Sequence, residues 1–162
     1  MEKYEIIDGV AILPEGIEMI EERAFWNCKE LKRVVIPQWV CRIGYRAFYG
    51  CENLEVVELP EWLEDIGKDA FWCCTSLTEI VIPEGVTEIG DSAFSFCESL
   101  AEFVIPNSVT EIGSIAFDGC TSLTSIVIPD SVTEIGYSAF GGCSSLTEIV
   151  IPDSVTEIGW NA

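Results

Sequence analysis

The stretch LTSIVIPDSVTEIGYSAFGGCSS, Leu123 to Ser145, falls on itself when the chain is shifted by 23 residues. Every proline obeys the same shift: Pro14, Pro37, Pro60, Pro83, Pro106, Pro129 and Pro152. So do phenylalanines from Phe25 to Phe140, cysteines from Cys28 to Cys143 and leucines from Leu31 to Leu146. A fixed period of this size marks a repeat array in which successive coils stack. Residues 1–162 therefore read as one array of about seven coils, the last one incomplete.

Within one coil, Leu123, Ile126 and Ile128 predict a short strand with those side chains inward. Pro129 lacks an N–H and ends it. Val132 and Ile135 turn inward again on a second extended segment. Gly136 is expected at a turn that uses positive φ. Ala139, Phe140 and Cys143 fill the remaining corner, expected as a single helical or 3₁₀ turn. A lone coil buries too little apolar surface to offset the ordering of its backbone, so neighbouring coils must cover both open faces.

Composition excludes several functions. The chain is 49% hydrophobic, enough for a packed core, yet has no apolar run long enough to span a membrane. Its opening residues, MEKYEIIDGVAILPEG, lack the apolar core of a signal peptide. An export signal, if the parent protein has one, is not in this sequence. The net charge is −20, and no Lys or Arg occurs from Asp69 onward. Residues 1–68 carry 8 basic and 14 acidic side chains, residues 69–162 carry 14 acidic and no basic ones. Such a surface suits neither nucleic acid nor an anionic membrane.

Both ends depart from the repeat. Residues 1–7 are read as an N-terminal cap, with Tyr4, Ile6 and Ile7 covering the first coil. Asp8 stands where later coils have Leu, and Glu21 where they have Gly. At the other end Val155, Ile158 and a strand edge are expected to be exposed. Two compatible readings follow: a fragment of a longer array, or a coil covered by a second copy in an end-to-end homodimer.

The pattern IP…V..IG..AF..C..L resembles the BspA-like subclass of leucine-rich repeats, the 23-residue type found mostly in bacterial surface proteins. The resemblance covers residues 8–162. It implies an α/β leucine-rich-repeat solenoid, right-handed and mostly β with short helical or 3₁₀ turns, carrying a parallel sheet on its concave face. It also implies adhesion or protein recognition rather than catalysis, and an extracellular or cell-surface setting.

Candidate partner-binding residues follow from position. The concave face should present Ile12, Val35, Glu58, Val81, Val104, Val127 and Val150, with Arg33 in the polar column beside them. This column is either an apolar docking stripe or simply β-branched residues suited to a parallel strand. Trp26, Tyr49 and Trp72 share one position in consecutive coils; Trp39 and Trp62 share another. They read as interface anchors, as a sugar-stacking face, or as shields for the corner. The grid cysteines read as a buried column of small apolar side chains. Cys41 and Cys73 lie off the grid at positions expected to be exposed. With no His and no C-x-x-C, no metal is expected. The acidic column Asp65, Glu88, Glu111, Glu134 and Glu157 reads as a solvated face.

No cofactor is expected, and no nucleophile–base pair or phosphate-binding glycine loop suggests an enzyme. The function read from the chain is a protein-binding module, with a structural spacer or designed consensus scaffold as the alternative and a carbohydrate-binding face as a weaker one.

Overall fold

The computed structural model describes residues 4–162. The chain opens with a hairpin of β1 (Glu5–Ile7) and β2 (Val10–Ile12), paired antiparallel. Its loop is Asp8–Gly9, both at positive φ, 51° and 83°. This two-residue geometry is what an Asp-Gly pair favours, and it is why Asp8 leaves the leucine grid. Tyr4 is buried and stacks on Phe25 at 5.2 Å, while Ile7 stays exposed. Residues 1–3 of the expected cap lie outside the described residues.

After the hairpin come β3 (Met19–Ile20), β4 (Arg33–Val35), β5 (Arg42–Ile43), β6 (Val56–Glu58) and β7 (Asp65–Ile66). Then follow β8 (Glu88–Ile89), β9 (Glu102–Val104), β10 (Glu111–Ile112), β11 (Ser125–Val127), β12 (Glu134–Ile135) and β13 (Glu157–Ile158). They form two rows of parallel strands. The first row holds β2, β4 and β6, then β9 and β11; the second holds β3, β5 and β7, then β8, β10, β12 and β13. Each pairing is in register with the repeat, for example Arg33 with Val56 and Glu111 with Glu134. A Pro-x-x-Val turn joins the rows, Val40 N–H donating to Pro37 O and Val132 N–H to Pro129 O.

The third side of each coil is a corner, and it corrects the expected helical turn. No helix occurs among the described residues. Even-numbered amides of the first corner bond locally: Ala24 to Glu21 O, Trp26 to Arg23 O, Cys28 to Phe25 O. The intervening amides donate to the next coil: Arg23 to Tyr45 O, Phe25 to Ala47 O, Asn27 to Tyr49 O. Two residues per corner sit in the left-handed region to turn alternate peptides along the stack. One column is Arg23, Arg46, Asp69, Ser92, Ile115, Ser138 and Asn161, at φ between 51° and 61°. The other includes Asn27, Cys73, Phe96 and the glycines Gly50, Gly119 and Gly142. A left-handed residue every fourth position forbids continuation as a helix.

Inside the corner the grid phenylalanines stack without a break from Phe25 to Phe140, centroids 5.1–5.7 Å apart and planes within 11° of parallel. Phe48, Phe71, Phe94 and Phe117 are fully buried. Gly136, expected at positive φ, is not among the positive-φ glycines. A Cβ there would lie 2.4 Å from Ser114 N of the preceding coil, so this column is glycine because backbones approach closely. Glu21 belongs to the first coil, where no earlier coil stacks against that column, and can carry a side chain.

The two rows are interrupted at the same level. β7 and β8 are neighbours without pairing, and residues 79–81 keep only the bridge Val56–Glu79 between β6 and β9. The bonds Gly67 N–H to Ile43 O and Gly113 N–H to Ile89 O have no counterpart at Gly90. The corner bonds cross this level intact: Asp69 to Asp91 O, Phe71 to Ala93 O, Cys73 to Ser95 O. The result is a seam, open on both sheet sides and closed along the corner. Glycine spacing registers it too. A Cβ on Gly113 would meet Asp91 N at 2.6 Å, whereas one on Gly90 would find nothing nearer than Ile66 O at 3.2 Å.

Gly113→Ala should therefore lower stability by about 1–3 kcal/mol, the usual range for overpacking, and Gly90→Ala by distinctly less. Urea titrations of the two variants decide this; equal losses would remove the looser contact at the seam.

Candidate recognition surface

Strand alternation sorts the first row into an inner and an outer face. Val34, Val57, Ile80, Phe103 and Ile126 point inward and are buried. The residues after them point outward. Ile12 and Val35 are 48% and 47% exposed, while Val81, Val104, Val127 and Val150 are 69–75% exposed. The apolar column is thus half-covered in the first coils and bare in the last four. Between the two parts stands Glu58, held by an ion pair with Arg33. A groove of 650 Å³ between adjacent coils is lined by Val81, Pro83, Val104 and Pro106, with Glu84 and Glu102 on its sides.

The tryptophan columns separate. Trp39 and Trp62 are 49% and 73% exposed on the corner after the proline. Trp26 is 52% exposed. Tyr49 and Trp72 are half-buried, stacked on each other at 4.4 Å, with Phe96 edge-on to Trp72 at 5.5 Å. Arg46 lies over the rings of Tyr45 and Tyr49 at 4.7 and 5.0 Å and donates from Nε to Asp69 at 2.9 Å. That hydrogen bond raises the guanidinium above its ordinary pKa. Tyr49 and Trp72 thus pack against ring and guanidinium neighbours of their own corner. Phe96 and Arg46 were not singled out from sequence. The only signal for them is the 23-residue offset that places them beside the aromatic column.

A model of the BspA-type leucine-rich repeat region matches residues 10–124 and 110–162, in six copies. The chain belongs to the BspA-type leucine-rich-repeat family. It is similar to a leucine-rich-repeat protein of T. pallidum (39% identity, TM-score 0.88, covering 93% of this chain and 73% of that one). It is also similar to a leucine-rich cell surface protein of Faecalibacterium prausnitzii (42%, TM-score 0.83, 88% and 39% covered) and to a leucine-rich-repeat protein of Bacteroides ovatus (26%, TM-score 0.79, 93% and 50% covered). The chain spans half or less of those last two. No curated protein matches it.

In this BspA-type array the cysteine column is more than small apolar filling. Each buried thiol donates to the carbonyl of the grid phenylalanine one coil back: Cys51 to Phe25 O at 3.0 Å, Cys74 to Phe48 O at 3.2 Å, Cys97 to Phe71 O at 3.3 Å, Cys120 to Phe94 O at 3.2 Å, Cys143 to Phe117 O at 3.2 Å. Burial pushes these thiols up, Cys51 to about 12 and Cys143 to about 11. All eight cysteines are free. Cys41 and Cys73, expected to be exposed, are half-buried. Cys41 points its thiol at Glu18 O, 3.5 Å away, and Cys73 occupies a left-handed corner position.

The second row carries the acidic column. Glu88, Glu111, Glu134 and Glu157 are partners in register, about 4.8 Å apart by strand spacing. Among the described residues no three metal-ligating side chains converge. In the first coils basic residues link one coil to the next instead: Lys29 to Glu52, Arg42 to Asp65, Arg46 to Asp69, Lys68 to Asp91. The three exposed pairs contribute roughly 0–1 kcal/mol each; in the fourth, Arg46 to Asp69, the carboxylate is buried. The coils beyond Asp91 have repulsion with no such links.

Two outcomes follow. The buried thiols bind their protons more tightly folded than unfolded, where the ordinary value is 9.0. The thiols' contribution to stability should be constant below about pH 8 and be lost as pH rises above about 9. Alkaline melting curves test this, and an unchanged midpoint up to about pH 11 would refute it. Raising salt to about 0.5 M, where charges are screened within a few ångströms, should raise Tm and slow amide exchange beyond Asp91 most. A flat Tm would remove the repulsion as a stability determinant.

Proposed function

We propose that this chain is a non-catalytic protein-recognition module of a bacterial surface or secreted protein. The observation that carries the reading is the bare valine column of the first row. Four large apolar side chains in one line, each more than two-thirds exposed, are costly to solvate and suit a partner that covers them. Trp39, Trp62 and Trp26 supply exposed anchors in the first coils, and tryptophan is the residue most enriched where binding energy concentrates. The likeness to a leucine-rich cell surface protein of F. prausnitzii supports the setting. One observation favours a spacer instead: residues 123–139 and 146–162 are identical at 14 of 17 positions, as coils without individual roles would be.

Immobilised chain, challenged with a panel of purified extracellular proteins and a glycan array, separates the readings. The expected result is a retained protein whose affinity falls about tenfold or more when Trp39→Ala and Trp62→Ala are combined, with Tm unchanged. No specific capture would leave the spacer. Retention of a glycan with quenching of Trp fluorescence would replace protein by carbohydrate.

A further inference from the structure

We infer that the outer face of the first row, from Val81 to Val150, docks a basic amphipathic α-helix lying along the solenoid axis. This rests on the reading of that face as a recognition surface and names its partner.

Three features point to a helix of that composition. The first is charge. Glu79, Glu102 and Glu148 flank the valine column on one side, and Glu84, Asp130 and Asp153 flank it beyond the prolines on the other. All six are exposed, and none is in a described ion pair. No Lys or Arg follows Lys68 in the chain, so nothing within these coils can neutralise either row. An apolar stripe with carboxylates on both sides is the complement of a helix with an apolar stripe and Lys or Arg on both flanks.

The second feature is width. Glu79 and Glu84 are five residues apart in sequence, so the two acidic rows stand no more than about 17 Å from each other. A helix with its side chains is about 10–12 Å across, within that limit, and its basic side chains would reach outward to each row. A single extended strand would meet one row only.

The third feature is pitch. Coils repeat every ~4.8 Å along the stack, and a helix advances about 5.4 Å per turn. One helical turn therefore falls over each coil: at the paired step Val104–Val127 the mismatch is about 0.6 Å, and three steps at that repeat would accumulate about 2 Å. Apolar residues at helical i, i+4, i+7 and i+11 would each meet one valine, with the groove between Val81 and Val104 receiving a side chain between ridges. The Arg33–Glu58 pair places a charge in the column and ends the track on its N-terminal side.

The test is fluorescence anisotropy with a labelled synthetic helix of about 14 residues, four turns, bearing a leucine stripe flanked by Lys and Arg. A scrambled peptide of identical composition and an acidic version of the same helix are the controls. The expected result at near-physiological salt is binding about tenfold or more tighter than the scrambled peptide. That preference should disappear in Val104→Thr with Val127→Thr, which keeps the β-branched shape and the fold, and weaken in Glu102→Gln with Glu148→Gln. Tm of each variant should match the parent. Equal binding of the scrambled peptide would show charge alone at work and overturn the proposal. Equal binding of the acidic helix would overturn its basic character. No binding at all would also overturn it, while a protein captured through Trp39 and Trp62 in the panel above would leave the recognition module standing.

Discussion

Alternate corner amides set the terms for everything else in this molecule. In each corner one amide closes a local turn and the next reaches to the following coil. That alternation requires left-handed residues at two positions per coil, which costs a non-glycine residue about 1–2 kcal/mol, even at the β-branched Ile115. The arrangement persists because the same backbone geometry fixes the coil spacing at which phenylalanine rings stack and each thiol meets the carbonyl of the coil before it. Once the corner has set that spacing, the glycine of each coil must lie against bare backbone, and the short strands fall into register.

The two halves of the array solve the problem of stacking differently. The first three coils are joined onward by side-chain ion pairs as well as backbone, the last of these reaching Asp91, and their outer apolar column is half-covered. Beyond Asp91 no side-chain ion pair joins the coils among the described residues; backbone, rings, thiols and hydroxyl-to-carbonyl bonds such as Ser131 Oγ to Val109 O hold them, and their acidic columns repel. The seam between β7 and β8 falls at this change of regime. It also falls just after the last basic residue, Lys68, whose Nζ reaches across the open level to Asp91.

Much of this was legible in the sequence, and the failures have physical causes. The 23-residue grid placed the inward residues of both rows correctly, because burial follows from alternation and the period sets which residues superpose. The outward column from Val81 to Val150 was equally plain. The Asp8–Gly9 hairpin was available from its dipeptide and was read only as a lapse in the grid. The corner was misjudged because its three-residue bonds are those of a 3₁₀ turn and only the left-handed residues break it. Asn27, Gly50, Gly119 and Gly142 signalled one such column, whereas Arg23, Asp69 and Ile115 signal nothing. The glycines of the other column were explained by φ when close approach of two backbones was the reason. The packing of Tyr49 and Trp72 was out of reach, since whether an aromatic faces solvent or a neighbour depends on Phe96 and Arg46 in adjoining columns.

The seam has a mechanical meaning. A stack joined continuously along one edge and unzipped at one level on its other two sides behaves like a bound book, with the corner as its spine. Tension along the axis is borne by the spine and leaves its length unchanged, but a bending couple meets little resistance in the plane that fans the pages at Gly90. Such a body is stiff in stretch and compliant in flexure at a single place, so two stretches of array could adjust their mutual angle to a curved target without either one unfolding.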